Sequence, residues 1–446
     1  MAFFLQETFN PDIRRDQPET WSYKWPNFSK LGILGNNRWL YPQACDNRQN
    51  PNIYKVFQIL FGERELIVNI TRAGLMRPTK NIYFSTRNEF EDRENWKTIS
   101  DWLHLDMNPL TGRATTYGFE HRYGSAQSRL HGITIRTPLL RLNYDIPGLE
   151  IYLKCEQFQP TSSFKIRGAT NIVKILSSKQ KENGIVTASS GNMAKGVAWI
   201  ARQENIKCRI LVPDTTNEAK LKAIDRLGGE ITKCPFDEWF QVIESHQCPM
   251  LDGYFIHPAS NRHVMAGNGT IALEILEELP DCDAILVPYG GGGLITGISS
   301  AAKHLKPSID IFACEIETGA PLHAAFNAGD TIRISVQNSW VNGIGISSVL
   351  KEVWPIVKEC IDGAIVITLK ETADALKLLI ESNHLICEGA SATALAASLW
   401  HYRNLLENGQ AGRRRNLKQE PVKIVAILTG AGIDNETIIK CLNETL

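Results

Sequence analysis

An α/β fold, with an open parallel sheet covered by helices on both faces, is predicted by three observations. From about residue 130 onward, short apolar runs rich in β-branched residues recur along the chain. Turn residues bound each run, and segments of helical periodicity lie between them.

The runs at 184–188, 208–212, 284–287, 309–313 and 423–428 read as buried strands. The segments 192–203 and 218–227 read as helices, the second closed by Gly228 and Gly229. In open α/β sheets, ligands bind beyond the carboxyl ends of the strands. Four candidate motifs fall at those ends.

Composition changes near residue 120. The preceding part carries Trp21, Trp25, Trp39, Trp96 and Trp102, half of the ten tryptophans. Its aromatic content argues against a disordered tail. It is expected to pack on the rest of the chain or on a second subunit, with a helix or a helix–strand pair at 54–68. Lys plus Arg equals Asp plus Glu, 48 against 48, so no electrostatic reason points to nucleic acid or an anionic membrane. The start has no basic stretch followed by a long apolar run, as a secretory leader would, and no window is apolar enough to span a bilayer. The ten cysteines are scattered, with no C-x-x-C pair, which reads as free thiols in a reducing compartment. A cytoplasmic location is therefore expected. Arg413, Arg414 and Arg415 read as part of a solvated loop.

The first motif is Ser162-Ser163-Phe164-Lys165-Ile166-Arg167-Gly168-Ala169. A lysine among small and apolar neighbours loses its proton more readily, and a neutral amine captures an aldehyde. The second is Ser189-Ser190-Gly191-Asn192, which follows a strand and opens a helix. Its amides suit a carboxylate, although ordinary helix capping explains the same residues. The third is Tyr289-Gly290-Gly291-Gly292-Gly293-Leu294, again between a strand and a helix. Consecutive glycines there let several amides converge on one anion, and a phosphate is the natural guest. The fourth, Thr429-Gly430-Ala431-Gly432, ends the last strand with a hydroxyl at its tip. Taken singly, these are a surface lysine, a cap, a turn and a strand end.

Taken together, in this order and spacing, they resemble fold-type II pyridoxal-phosphate enzymes. The resemblance is to the threonine/serine dehydratase and serine racemase branch and covers roughly residues 125–446. Arg136-Thr137-Pro138, Ala266-Gly267-Asn268-Gly269-Thr270 and Cys387-Glu388-Gly389-Ala390 match as well. The resemblance implies a tryptophan synthase β-like fold of two open twisted sheets flanked by helices. It implies a large cofactor-binding domain from 121–183 and 259–446, a small domain from 184–258, and an extension over 1–120.

It implies pyridoxal 5'-phosphate held covalently by Lys165, which also acts as base at the substrate Cα. Phe164 would pack beside the ring and Asn192 would bind the ring oxygen. Gly290 to Gly293 and Leu294 would cradle the phosphate, and Thr429 would meet the pyridine nitrogen. Ser189, Ser190, Gly191 and Asn192 would bind substrate, with Ser190 the second acid/base in racemases. A neutral hydroxyl at Thr429 does not hold the ring nitrogen protonated. It therefore favours loss of a Cβ leaving group over transamination.

The expected reaction is β-elimination from a small amino acid such as L-threonine or L-serine, giving a 2-oxo acid and ammonia. The competing readings are racemisation, β-replacement and a non-catalytic cofactor-binding protein. The family also implies a homodimer, and no feedback domain is expected after the last motif. Met193, Trp239, Ala259 and Tyr289 depart from the family pattern and are expected to alter the pocket. Glu315 survives from the racemase metal site, but Pro321 stands where an acidic partner is needed, so no metal is expected.

Overall fold

The computed structural model describes residues 123–412 and 421–445, together with the backbone of two short strands, β1 (Ile82–Phe84) and β2 (Glu89–Glu91). The chain divides into two compact units, Met1–Met107 and Asn108–Leu446. In the first, β1 and β2 pair antiparallel, Tyr83 opposite Phe90. The expectations for 54–68, for the packing of the extension and for Arg413–Arg415 lie outside the described residues.

The second unit carries two sheets. One has the order β11-β10-β9-β12-β4-β3, the other β7-β6-β5-β8. In chain order, the first begins with β3 (Leu139–Arg141) and β4 (Leu149–Cys155), followed by helix α1 (Lys165–Ile175). The second sheet comes next. It is built from β5 (Ile185–Ala188), α2 (Asn192–Gln203), β6 (Cys208–Pro213), α3 (Glu218–Asp225), β7 (Glu230–Cys234), α4 (Phe236–Ser245) and β8 (Tyr254–Phe255). The chain then returns to the first sheet through α5 (Arg262–Glu278), β9 (Ala284–Pro288), α6 (Gly293–Leu305), β10 (Asp310–Ile316), α7 (Pro321–Ala328), α8 (Trp354–Cys360) and β11 (Gly363–Ile367). After α9 (Leu369–Asn383) and α10 (Gly389–Ala396), β12 (Val422–Leu428) inserts between β9 and β4.

The four-stranded sheet is wholly parallel. The six-stranded sheet departs from the predicted parallel arrangement at one edge, where β3 runs antiparallel to β4. The residues 142–148 between them are too few for a crossover helix, so the chain turns straight back. All five predicted strands form, and α2 occupies the predicted 192–203. The second predicted helix ends at Asp225, two residues before the predicted Leu227. The strands read as near-continuous apolar runs because both faces are covered: β5 and β9 are buried at every position.

Helix α5 lies at the centre and is buried from Val264 to Ile275. Glycines let it approach its neighbours backbone to backbone. A Cβ on Gly267 would stand 2.5 Å from the Arg167 carbonyl oxygen of α1, and one on Gly297 of α6 would stand 2.1 Å from the Met265 carbonyl oxygen.

A buried ionic network fixes α1 against α5 and the end of β4. The Arg167 guanidinium donates from Nε to Glu156 Oε2 at 2.8 Å and from Nη1 to Glu274 Oε1 at 2.6 Å. Lys154 Nζ reaches Glu274 Oε2 at 2.7 Å and the Thr137 carbonyl oxygen at 2.7 Å. The Thr137 hydroxyl donates to Glu156 Oε1 at 2.6 Å. Two cations and two carboxylates thus neutralise one another with their hydrogen bonds filled, the condition under which charge survives burial.

Arg167→Met leaves Glu156 without its cation and Glu274 with Lys154 alone, and is expected to cost about 3–5 kcal/mol, the range for breaking a buried pair, read from denaturant unfolding. Burial would raise the Glu274 carboxyl, but Arg167 and Lys154 hold it below the ordinary range. Its contribution is therefore complete above the ordinary carboxylate pKa and is lost as pH falls through the depressed value. The acid limb of a stability–pH curve should be shallower in the Arg167→Met protein than in the wild type.

Candidate active site

The four motifs follow the carboxyl ends of β4, β5, β9 and β12. Three of these strands, β9, β12 and β4, are neighbours in one sheet. Helix packing brings the remaining motif, Ser189–Asn192 after β5, to them. Gly196 of α2 lies against the start of α1, where a Cβ would stand 3.2 Å from the Ile166 amide nitrogen and 3.3 Å from the Lys165 carbonyl carbon.

The lysine segment is tied to the end of β12. Phe164 N donates to the Thr429 carbonyl oxygen at 3.0 Å, Ala431 N donates to the Ser162 carbonyl oxygen at 3.0 Å, and Ser163 bridges Gly430. Lys165 is half-buried. Its Nζ donates to the Pro258 carbonyl oxygen at 3.1 Å and lies 5.1 Å from the centre of the buried Phe164 ring. Burial brings the amine down to about 8, with the Glu388 carboxylate acting in the opposite sense.

Glu388, at the start of α10, ties the motifs together. Asn192 Nδ2 donates to its Oε2 at 2.9 Å, Thr429 Oγ1 donates to its Oε1 at 2.9 Å, and the Gly432 amide donates to Oε2 at 3.2 Å. Ser391 Oγ lies 2.9 Å from Thr429 Oγ1. The carboxylate oxygens also crowd Gly430, whose Cβ would stand 2.9 Å from both. A side chain at that position would break the junction.

The glycine loop is confined on every side. A Cβ on Gly290 would stand 2.5 Å from the Gly343 carbonyl oxygen. On Gly291 it would stand 2.6 Å from the Ala259 Cβ, on Gly292 2.5 Å from Val353 Cγ1, and on Gly293 2.3 Å from the Ala259 carbonyl oxygen. Gly292 also takes φ +84°, a left-handed conformation that side chains resist. Leu294 is buried in the first turn of α6. The amides of residues 290–294 donate to no other backbone group among the described residues, as expected at a helix N-terminus. A cradle closed to any side chain but rich in free amides fits a phosphate. With a lysine that deprotonates near 8, these residues fit a phosphorylated aldehyde.

At the start of α2, Gly191 N donates to Ser189 Oγ at 3.3 Å. Ser190 is half-buried, and its hydroxyl makes no hydrogen bond with the other described site residues. Two of the residues that depart from the family pattern are buried. Met193 lies among the apolar residues under the four-stranded sheet, and Tyr289 in the main cluster behind the glycine loop. The Tyr289 ring also backs the cradle, its Cε2 and hydroxyl oxygen each 3.5 Å from where a Cβ on Gly292 would stand. Trp239 packs against the small apolar cluster of Ala188, Leu211, Cys234 and Val242. Ala259 does touch the site, through the glycines. Burial raises the Glu315 carboxyl to about 7, and both its oxygens accept amides of α7, from Leu322 at 2.8 Å and His323 at 2.7 Å. Pro321 opens that helix.

Sequence reading assigned no role to Glu388, Ser391, Pro258 or Gly343. Glu388 lay in a matching stretch and carried a signal, a carboxylate at a helix start. The others act through a carbonyl or a hydroxyl, which no spacing rule singles out.

This architecture defines a fold-type II cofactor enzyme, with the site on the carboxyl edge of the strands and divided between two sheets. The chain belongs to the family of pyridoxal-phosphate dependent enzymes, whose pattern matches residues 131–430. It is 34% identical over 328 residues to a serine racemase of Dictyostelium discoideum, covering 71% of this chain and 96% of the relative. It is 33% identical over 325 residues to an L-threonine ammonia-lyase of Thermotoga maritima, covering 72% and 77%. The solved structure of maize serine racemase superposes with a TM-score of 0.65 at 31% identity, covering 73% of this chain and 96% of that one. Threonine deaminase isoform 2 from Solanum lycopersicum gives 0.64 at 27%, covering 74% and 94%. The protein is thus an enzyme that uses pyridoxal phosphate.

Glu388→Gln withdraws the carboxylate that supports the Lys165 charge. The midpoint for reductive alkylation of Lys165 should then fall below about 8, as read by mass spectrometry across a pH series.

Proposed function

We propose that this protein catalyses β-elimination of water from L-threonine or L-serine, giving a 2-oxo acid and ammonia. The observation that carries the reading is the Lys165 amine, lowered to about 8, beside a loop that adjoins the glycine cradle. Relatives named L-threonine ammonia-lyase and serine racemase support the same substrate class.

Lys165 would hold the cofactor covalently, with Phe164 beside the ring and Asn192 at the ring oxygen. Thr429 would meet the ring nitrogen, and the amides of Gly290 to Leu294 would hold the phosphate. When bound, the cofactor supplies an aldehyde for the lysine and a conjugated ring that draws electrons from the substrate Cα–H bond. Ser189 to Asn192 offer the amides at the start of α2 to the substrate carboxylate. Lys165 Nζ, once free of the cofactor and neutral, takes the Cα proton. The Cβ hydroxyl then leaves as water, and hydrolysis of the released enamine yields the 2-oxo acid and ammonia. Thr429 presents a neutral hydroxyl, which carries no charge to hold a ring nitrogen protonated; it would turn the proton it now gives Glu388 toward that nitrogen. A ring left unprotonated suits prompt departure of a β-substituent rather than a long-lived carbanion.

A second reading, racemisation, rests on the Ser190 hydroxyl, which is free of the other site residues. A proton donor opposite the lysine would let the substrate leave with inverted configuration. The expected setting for either reaction is a cytoplasmic homodimer. No helix among the described residues is long and apolar enough to cross a membrane.

Absorbance of the purified protein, followed by a panel of β-substituted amino acids with 2-oxo acid detection, tests the proposal. Lys165→Ala should lose covalent attachment and turnover together; turnover that survives without the lysine refutes its role. Attachment of the cofactor to the apoprotein should accelerate as pH rises toward and past about 8, because only the neutral amine attacks. Ser190→Ala should leave elimination from the L-substrate largely intact while suppressing one direction of racemisation. Equal loss for both enantiomers would remove Ser190 from the racemisation reading.

A further inference from the structure

The turn after β8 touches both halves of the candidate cofactor site. Pro258 offers its carbonyl oxygen to Lys165 Nζ at 3.1 Å. Ala259, the next residue, packs against Gly291 and Gly293 of the cradle. One side chain shapes this turn. His257 is buried, and its Nδ1 accepts from the Ala259 amide at 3.1 Å and the Ser260 amide at 2.8 Å. The Ser260 hydroxyl lies 2.8 Å from the same nitrogen. On the other side of the ring, Nε2 lies 3.1 Å from the Ile243 carbonyl oxygen near the end of α4.

These partners fix the protonation state. A carbonyl oxygen accepts, so Nε2 carries the proton, while backbone amides only donate, so Nδ1 is bare. A proton on Nδ1 would face two N–H groups. The titratable groups around the ring are His246, Glu352 and Lys165, and burial together with His246 lowers His257 to about 4. The ring is therefore a neutral acceptor through the working pH range.

The turn is also tied to the second support of the cradle. His246 stacks on His257 with ring centres 4.2 Å apart, and its Nε2 lies 2.7 Å from Glu352 Oε1. Glu352 precedes Val353, the residue that packs against Gly292.

We infer that His257 is a positioning residue, which through Nδ1 holds the 257–260 turn so that Pro258 aligns the Lys165 amine and Ala259 closes the glycine cradle around the phosphate. The inference rests on the reading of Lys165 and the glycine loop as the cofactor site. Its action on the cradle distinguishes it from a merely structural histidine. Loss of the acceptor should weaken discrimination for the phosphate group, and a side chain that restores the acceptor should recover it.

The test uses full-length apoprotein titrated by absorbance with pyridoxal phosphate and, separately, with pyridoxal, which lacks the phosphate. Thermal unfolding of each variant is measured alongside. His257→Leu fills the space without an acceptor. It should lower the ratio of the pyridoxal dissociation constant to that for pyridoxal phosphate by about tenfold, the scale of a misplaced set of hydrogen bonds. His257→Asn, whose side-chain oxygen can accept from the amides two and three residues on, should return the ratio to within about threefold of the wild type. An unchanged ratio in the Leu protein, or an Asn protein no better than Leu at equal thermal stability, overturns the inference. If the Leu protein does not fold, Ser260→Ala decides. The ratio should fall by about threefold when the hydroxyl at Nδ1 is removed, and an unchanged ratio counts against the turn. Wild-type protein that fails to attach pyridoxal phosphate at Lys165 would overturn the cofactor reading, and this inference with it.

Discussion

The position of Lys165 depends on Arg167. Two residues into α1, the guanidinium is held by carboxylates from two directions: Glu156, just past β4, and Glu274, on the central helix α5. An arginine has a rigid fork of donors, so two carboxylates fix its plane as well as its position. The first turn of α1 cannot rotate without leaving charge unpaired away from water. Because the same turn begins with Lys165, the network that orients the helix also aims the lysine. Lys154 completes the charge balance from inside the sheet, so helix, strand and central helix share one constraint.

Around that fixed point the site is assembled from strand ends. β4, β9 and β12 are neighbours, so the lysine segment, the glycine loop and the Thr429 turn emerge on one edge. The start of α2 arrives from the other sheet because Gly196 admits the backbone of α1. Glu388 then joins Asn192, Thr429 and Gly432 through its two oxygens. The electrostatic result is a balance. Burial drives Lys165 toward the neutral amine, while the Glu388 field keeps it from falling further. The neutral amine is therefore within reach near pH 8.

The residues that depart from the family pattern fall into two groups when placed in space. Met193 and Tyr289 are packing residues, buried in separate apolar clusters. The Tyr289 ring also backs the cradle, 3.5 Å from where a Cβ on Gly292 would stand. Ala259 is different. Its methyl and carbonyl lie where the glycines of the cradle pass, so a bulkier residue would press on the loop itself. Glu315 lies apart from both groups. With Pro321 opening α7, both carboxylate oxygens cap that helix through the Leu322 and His323 amides.

The sequence by itself determined the fold class, the strands β5, β6, β9, β10 and β12 and the four motifs. Each of these is written in local periodicity or in a short run of residues with a backbone purpose. An apolar β-branched run is a buried strand wherever it pairs. Four glycines between a strand and a helix leave little but a close approach to an anion. Tertiary structure alone decided the antiparallel edge at β3, the meeting of Glu388 with Asn192 and Thr429, and the contact of Lys165 with Pro258. It also decided that Met193 and Tyr289 face the core. Those outcomes depend on residues far apart in the chain: Asn192 and Glu388 are 196 positions apart, and Lys165 and Pro258 are 93 apart. No local pattern encodes such a separation. Only the crossing of helices on two sheets brings those atoms within hydrogen-bond reach.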